Sequence, residues 1–222
     1  MASRTDGLHR RQSKYSDRRC GDGQFPVLVM LSAKCRIRTE RDRYRTWTGD
    51  GLDIDRCQNV HVSDCDIRTD DDCITLRAAC TRYLAKPQDC RNVTVERCRL
   101  SSVCNAVRIG VGEGVVRGCR LSELVIRDTR NAVNVISAYT PGSRGVDISD
   151  IAISSVDAEC DRFLVMGYGR KPGWAKDAVI RDITFRNVKA KVSKPNDVMQ
   201  EAGRAFENIV FENCEINLSP RR

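Results

Sequence analysis

An internal repeat constrains this chain more than any other feature of its sequence. Residues 57–67 read CQNVHVSDCDI, and a related segment, CRNVTVERCRL, begins 33 residues later at Cys90. Weaker copies keep the same apolar skeleton over residues 116–121, 146–153, 180–185 and 209–216. A repeat of roughly 20 to 50 residues is typical of solenoids, propellers and helical arrays, in which each unit packs against its neighbours.

The spacing inside each copy selects one of these architectures. Val60 and Val62 alternate with polar residues, and Cys65 and Ile67 resume the alternation after a two-residue offset. This pattern predicts two short strands joined by a bend, whereas helical repeats need a period of about 3.6 and propeller blades need four antiparallel strands. We therefore predict an all-β chain, a parallel β-helix of about six to seven coils over residues 35–218, with equivalent residues stacked ~4.8 Å apart.

The repeat also assigns positions to the cysteines. Aligning the copies gives steps of 30, 33, 21, 32, 32 and 31 residues between seven equivalent positions, namely Cys35, Cys65, Cys98, Cys119, Ile151, Ile183 and Cys214. These positions face inward, so we expect four of the cysteines to be small buried side chains: Cys65, Cys98, Cys119 and Cys214. Two disulfides stay open until the geometry is known, Cys80–Cys90 and Cys73–Cys104.

Asparagine recurs where the repeat predicts a bend, at Asn59, Asn92 and Asn208. This residue tolerates left-handed backbone, and its side chain can bond neighbouring backbone groups. The glycine-rich segment 110–114 is similar to a phosphate-binding loop, but it leads into a strand copy and no Lys-Ser/Thr pair follows. We therefore interpret it as a turn between coils.

Composition and charge exclude several classes of protein. Charged residues make up 31% of the chain, and no apolar run approaches the ~20 residues that a membrane-spanning helix needs. The net charge of +8 permits an acidic partner, but the basic segments 9–19 and 38–45 carry no aromatic-rich recognition motif, so we expect no nucleic-acid partner. Without a CxxC spacing, and with only His9 and His61, the chain shows no zinc-finger pattern, and we expect no metal or other cofactor.

Closely spaced aspartates give the strongest chemical signal. Residues 48–55 read TGDGLDID and residues 69–74 read TDDDCI, so Asp50 precedes Asp71 and Asp72 by 21 and 22 residues. A separation of about one coil puts these carboxylates on neighbouring rungs, where like charges raise at least one pKa. One protonated and one ionised carboxyl on the same face is what glycoside hydrolysis requires. The spacing alone leaves a calcium site and a solvated turn open as alternatives.

The stretch DGLDIDRCQNVHVSDCDIRTDDDCITLRA, residues 50–78, resembles the family 28 glycoside hydrolases. These are polygalacturonase-like enzymes with a right-handed, pectin-lyase-like parallel β-helix. Members carry Asn-Thr-Asp-Gly and Gly-Asp-Asp motifs about one coil apart, followed by Gly-His-Gly and Arg-Ile-Lys. The resemblance covers roughly residues 46–218. It implies a polysaccharide substrate, Asp71 as the general acid, and Asp50 and Asp72 as holders of the hydrolytic water in an inverting mechanism.

The chain departs from this family at its basic motifs. Asn105 stands at the position of the family's His, and the tripeptide that begins at Asn134, Asn-Val-Ile, replaces Arg-Ile-Lys. In the family these basic residues support the acid and grip the substrate carboxylate. We expect a pectin-like or related polysaccharide, bound by four residues: Asn105, Arg108, Asn134 and Tyr139. Arg108 serves as a substitute cation in this expectation.

Two other functions stay open at this point. A non-catalytic or calcium-binding β-helix that still binds carbohydrate would keep the fold without the chemistry. A pectate-lyase-like enzyme would hold Ca²⁺ at the aspartates and use a basic residue as the base, for which Arg108 is at hand.

The N-terminal segment, residues 1–34, is basic and fits the repeat poorly, so we expect it to be solvated or disordered rather than part of the β-helix. It lacks the apolar stretch of a signal peptide, although the family resemblance implies a secreted or periplasmic protein. Family members have further coils and a capping helix before the first catalytic motif, so the sequence indicates an N-terminally truncated chain. We expect this chain to be a monomer.

Overall fold

A computed structural model describes residues 29–38, 49–78 and 89–219. Every regular element in these residues is a β-strand, which confirms the predicted all-β class. The strands are, in chain order, β1 (Val29–Arg38), β2 (Leu52–Asp55), β3 (Gln58–Thr69), β4 (Ile74–Ala78), β5 (Cys90–Glu96), β6 (Arg99–Ser102), β7 (Asn105–Gly112), β8 (Val115–Ala138), β9 (Asp147–Gly169), β10 (Ile180–Val192), β11 (Asp197–Met199) and β12 (Glu207–Leu218). Most of the predicted N-terminal segment 1–34 lies outside the described residues.

The strands pair in parallel with their equivalents in the next coil. One face contains β2, β4, β7 and the C-terminal part of β8, and another contains β1, β3, β5 and the N-terminal part of β8. The long strands β8 and β9 bend within their length, so each contributes to more than one face before β10 and β12 extend the stack. This parallel pairing of successive coils is the predicted parallel β-helix.

The register corrects the predicted alignment of the copies. The inward stack that contains Cys98 continues to Leu124, 26 residues on, and not to Cys119. The described members of this stack are Cys35, Cys65, Cys98, Leu124, Val156, Val188 and Cys214. Cys119 lies in the neighbouring inward stack, with Val93 and Ile151. The predicted 21-residue step is wrong because the two stacks have the same apolar pattern and lie only a few residues apart.

The interior of the coil is filled mainly by Val, Ile, Leu, Ala and Cys side chains. Cys65, Cys98 and Cys119 are 2%, 1% and 0% exposed, as the inward stacks predict. Cys214 is half-buried, because β12 is the last described strand and no further described coil covers it. The cysteines therefore act here as small apolar side chains that fit between branched residues.

One of the two disulfides considered above is excluded by the structure, since Cys73 and Cys104 are both free thiols. Cys80, which the other disulfide would need, lies outside the described residues. No helix in the described part of the chain is long and apolar enough to cross a membrane.

Bends between strands use left-handed backbone where the asparagines predict it. Asn59, Asn92 and Asn208 have φ angles of 58°, 54° and 51°. The Asn92 side-chain amide also donates to Asn59 Oδ1 at 3.2 Å, so equivalent asparagines bond along the stack. The segment 110–114 bends between β7 and β8, as expected of a turn between coils.

Candidate active site

The aspartates predicted to be catalytic lie on adjacent rungs where β2 and β4 begin. The backbone amides that follow Asp50 and Asp72 donate to the carbonyls of Asp72 and Asn105, at 2.8 and 2.9 Å. Asn105 in turn pairs with Asn131 in β8. We call Asp50, Asp72, Asn105 and Asn131 the first column. Its members come from four successive coils and line one edge of a single face.

Asp50 is the carboxyl of the first column that titrates near neutral pH. Its Oδ1 accepts a hydrogen bond from the backbone N–H of Asp72 at 3.1 Å. Burial, followed by the negative charges of Asp53 and Asp71, raises the pKa of Asp50 to about 6. Gly51 permits the close packing, because a Cβ at this position would lie 2.4 Å from a carbonyl oxygen of the next rung.

Asp72 is bonded in a different way, although it is the register neighbour of Asp50. The side chain is 2% exposed. Its Oδ1 accepts from Asn105 Nδ2 at 2.5 Å, and its Oδ2 accepts from Arg108 Nη1 at 2.8 Å. An amide N–H and a guanidinium can only donate, so Asp72 is an acceptor at both oxygens and is neutralised by a buried cation.

A closed ring of contacts holds this arrangement in place. Asn134 Nδ2 donates to Asn105 Oδ1 at 3.1 Å, and the Tyr139 hydroxyl donates to Asn134 Oδ1 at 3.0 Å. The Arg108 guanidinium lies over the Tyr139 ring, 3.6 Å from its centroid, and returns to Asp72. The structure thus brings together all four residues predicted to bind substrate, and their described polar contacts are to one another and to Asp72.

Two of these groups have shifted titration. Burial raises the pKa of Tyr139 to about 12, although the Arg108 charge opposes the rise, so the hydroxyl stays a donor. Burial disfavours the charge of Arg108, but Tyr139 and Asp72 more than offset this, and the pKa of Arg108 rises above its ordinary value. Arg108 therefore remains a cation at every pH at which the protein folds.

Asp71 lies beside this column at the mouth of the site and is half-buried. Its backbone carbonyl accepts hydrogen bonds from the hydroxyls of Thr69, at 2.7 Å, and Ser102, so the turn that carries it is fixed on both sides. The Asp71 and Asp72 carboxylates and the Cys104 sulfur lie within 4.8 Å of one another. Burial, then the charges of both aspartates, raises the pKa of Cys104 to about 12, so this group is a neutral thiol.

Comparison with known proteins gives the same family as the sequence motifs. The model of glycosyl hydrolases family 28 matches residues 30–222, which is most of the chain. The chain belongs to glycosyl hydrolases family 28. It is therefore a glycoside hydrolase of the polygalacturonase-like type, and a polysaccharide is its class of substrate. No curated protein matches it.

Within family 28 this site is unusual in where its cation comes from. Asn134 and Ile136 occupy the places of the family's Arg and Lys, and Ile136 is 3% exposed, so no charge can replace it there. Arg108, one coil earlier, supplies a cation instead and directs it at Asp72. The position of the family's His holds Asn105, whose amide reaches the same carboxylate.

Sequence reasoning missed two members of the site, Asn131 and Cys104. Asn131 donates to Asn105 Oδ1 at 2.8 Å. Its signal was present, because Asn-Ala-Val occurs at both Asn105 and Asn131, one coil apart. Cys104 replaces a glycine of the family motif, and it was considered only as a disulfide partner.

The calcium alternative fits this donor set poorly. Asp71, Asp72 and Cys104 are the only group in the described residues whose ligand atoms could converge on one metal ion. Calcium takes six to eight oxygen ligands, whereas this group offers a thiol and a carboxylate that is already paired with Arg108 at 2.8 Å. A second cation at Asp72 would be repelled by the guanidinium.

Proposed function

We propose that this family 28 enzyme hydrolyses a pectin-like or related polysaccharide by inversion, through Asp50, Asp71 and Asp72. Asp71 protonates the leaving glycosidic oxygen, and Asp50 and Asp72 hold and activate the attacking water. The observation that carries the proposal is the hydrogen bond from the Asp72 amide to Asp50 Oδ1, 3.1 Å long, which joins two carboxyl-bearing rungs on one face. Inverting hydrolysis needs one acid and one base on opposite sides of the scissile bond.

The contacts of each carboxyl support this division of roles. Asp72 cannot act as the proton donor while both of its oxygens accept hydrogen bonds from Asn105 and Arg108. Asp50 is ionised above about pH 6 and can then accept a proton from water. Asp71 forms no ion pair with any described residue and lies at the mouth of the site, where a glycosidic oxygen can reach it.

The lyase alternative requires a base that the site does not offer. Elimination begins with removal of a proton from a sugar carbon, and Arg108 was the basic residue considered for it. Its guanidinium is held as a cation by Asp72 and Tyr139, which raise its pKa against the effect of burial. A permanently protonated group cannot accept that proton, so hydrolysis is the better supported reaction.

Leaving-group chemistry tests the assignment. On a polysaccharide that the wild type cleaves, Asp71→Asn should lower kcat by about 10²- to 10⁴-fold, because the departing oxygen is no longer protonated. Most of this loss should disappear with an aryl glycoside of the same sugar, whose leaving group needs no proton. Asp50→Asn and Asp72→Asn should stay impaired on both substrates. Reducing-sugar release and chromophore release measure the two cases.

Asp70→Asn is the matched control, because Asp70 neighbours the site in sequence but carries none of the contacts described above. It should retain most of the activity on both substrates. Equal effects of Asp70→Asn and Asp71→Asn would remove Asp71 from the proposal. A wild-type chain that releases no reducing sugar from any pectin-like polysaccharide would contradict the proposal as a whole.

A further inference from the structure

We infer that Arg130 and Arg162 form an anion-binding subsite that takes the carboxylate of an acidic sugar, two to three rungs beyond the catalytic aspartates. The inference rests on the proposed function, since the polysaccharide must cross these rungs when its scissile bond lies at the aspartates. It places recognition of negative charge away from the scissile bond, on residues that lie outside the family's basic motifs.

The register puts both arginines in line with the site. Arg162 pairs with Asn131 and so extends the first column, three rungs from Asp72. Arg130 precedes Asn131 as Asp71 precedes Asp72, which places it two rungs from Asp71. At ~4.8 Å per rung these separations are about 10 and 14 Å along the β-helix axis. A polysaccharide that lies along the axis presents successive sugars to successive rungs.

Both guanidinium groups are left for a ligand. Neither forms an ion pair with a residue in the described ranges, whereas Arg120 and Arg127 each bond an aspartate of the next rung, at 2.7 and 2.8 Å. Arg130 is exposed and Arg162 is partly exposed. A guanidinium has five N–H donors, and a carboxylate is the partner that accepts two of them at once.

The neighbouring polar groups do not use these donors. Asn131 is 8% exposed and its Oδ1 is buried without a hydrogen bond, although Arg162 is its partner in the next strand. Asp161, the carboxylate next to Arg162, accepts from Ser193 Oγ at 2.9 Å and Lys194 Nζ at 3.2 Å. Arg162 is therefore turned neither to the preceding rung nor to a described carboxylate.

The catalytic rungs, by contrast, repel an acidic sugar. Asp50, Asp53, Asp71 and Asp72 surround the reacting position, and the one cation among them, Arg108, is bonded to Asp72. Amides and a neutral thiol line the rest, and these groups suit sugar hydroxyls. A carboxylate on the sugar at the aspartates would meet like charges, whereas the same group two to three units along would meet Arg130 and Arg162. The favoured substrate thus has a neutral sugar at the scissile bond and an acidic one further along.

Binding measurements separate this inference from hydrolysis. In the full chain carrying Asp71→Asn, which prevents cleavage, Arg130→Gln with Arg162→Gln should weaken binding of acidic oligogalacturonates by about tenfold or more, because two charge-assisted contacts are lost. Binding of the same oligosaccharides after chemical reduction of their carboxyl groups should not change. Calorimetric titration at low and high salt gives both affinities, and only the acidic probe should show a salt dependence that the substitutions abolish.

Arg99→Gln with Arg117→Gln is the matched control, since both arginines are exposed and remove the same charge from strands outside the site. Equal losses in the two double variants would show a general charge effect and overturn the inference. Unchanged acidic binding in the Arg130 and Arg162 variant would overturn it as well. Arginine-dependent binding in a chain that cleaves nothing would support this subsite while contradicting the proposed hydrolysis, so the two failures are distinguishable.

Discussion

At the scale of residues, Asp50 and Asp72 show how one rung of spacing separates two chemical roles. Both are withdrawn from water, which disfavours a negative charge. Asp72 is compensated by Arg108 at 2.8 Å and by the Asn105 amide. Asp50 receives one backbone N–H and faces further carboxylates, so its pKa rises to about 6. The pair therefore combines a permanently charged group with one that exchanges a proton near neutrality.

A pH profile follows from the raised pKa of Asp50. If Asp50 must be ionised to activate water, kcat/KM should rise as the pH increases through about 6. Asp53→Asn should move this rise to lower pH, because the Asp53 charge is the largest cause of the raised pKa after burial. Asp64→Asn, which removes an exposed carboxylate paired with Arg97 on β3, should leave the profile in place. Activity that falls as the pH rises through 6 would instead make Asp50 the acid.

The sequence indicates which residues meet at this site better than it indicates what they bond. The spacing of Asp50, Asp71 and Asp72 predicts their neighbouring rungs, because coil length converts directly into stacking. Arg108 was expected to meet the substrate, yet its guanidinium lies on the Tyr139 ring and bonds Asp72. A strand pattern gives the face on which a side chain leaves the backbone, but not the partner that a long, flexible side chain selects.

At the scale of elements, the same limit applies to register. A period of two identifies inward positions in β3, β5 and β8, and these positions are buried in the structure. It does not say which of two inward stacks a residue joins. Cys119 resembles Cys98 in its local pattern but is stacked on Val93, because the loop over residues 79–88 lengthens one coil and the next coil lacks it. The fold class is predictable from local patterns, whereas register depends on loop lengths.

The end of β7 offers a test of close packing between coils. Gly110 has a φ of 110°, and a Cβ there would lie 2.1 Å from the Ile136 carbonyl oxygen. Gly110→Ala should therefore lower the free energy of unfolding by about 1–3 kcal/mol or more, since backbone strain and a clash add. Urea unfolding monitored by circular dichroism measures the change.

Gly173→Ala is the control for this substitution. Its φ is 77°, but no heavy atom lies within 4 Å of the added Cβ. Only the cost of left-handed backbone remains, about 1–2 kcal/mol. Equal losses for the two variants would mean that the contact with Ile136 adds nothing.

At the scale of the whole molecule, the β-helix converts chain order into position along an axis. Carboxylates belong to the earlier rungs of the site, amides to the next, and the arginines Arg130 and Arg162 to the later ones. A solenoid whose coils contact only their neighbours can change charge from rung to rung without disturbing the rest. Substrate recognition can therefore be displaced along the axis while the hydrolytic rungs keep their carboxylates.

Thiol accessibility tests the stacking of the coils over the whole molecule. Cys65, Cys98 and Cys119 are at most 2% exposed, so iodoacetamide should label them only as the protein unfolds, whereas half-buried Cys214 should be labelled in the native state. Cys98 is the most stringent case, because its contact with Cys65 lowers its pKa and its protection must come from burial. Peptide mapping by mass spectrometry with increasing urea gives each rate. Labelling of all three at the rate of Cys214 in native buffer would show that these cysteines do not occupy the inward stacks, and the register on which the site is built would then be wrong.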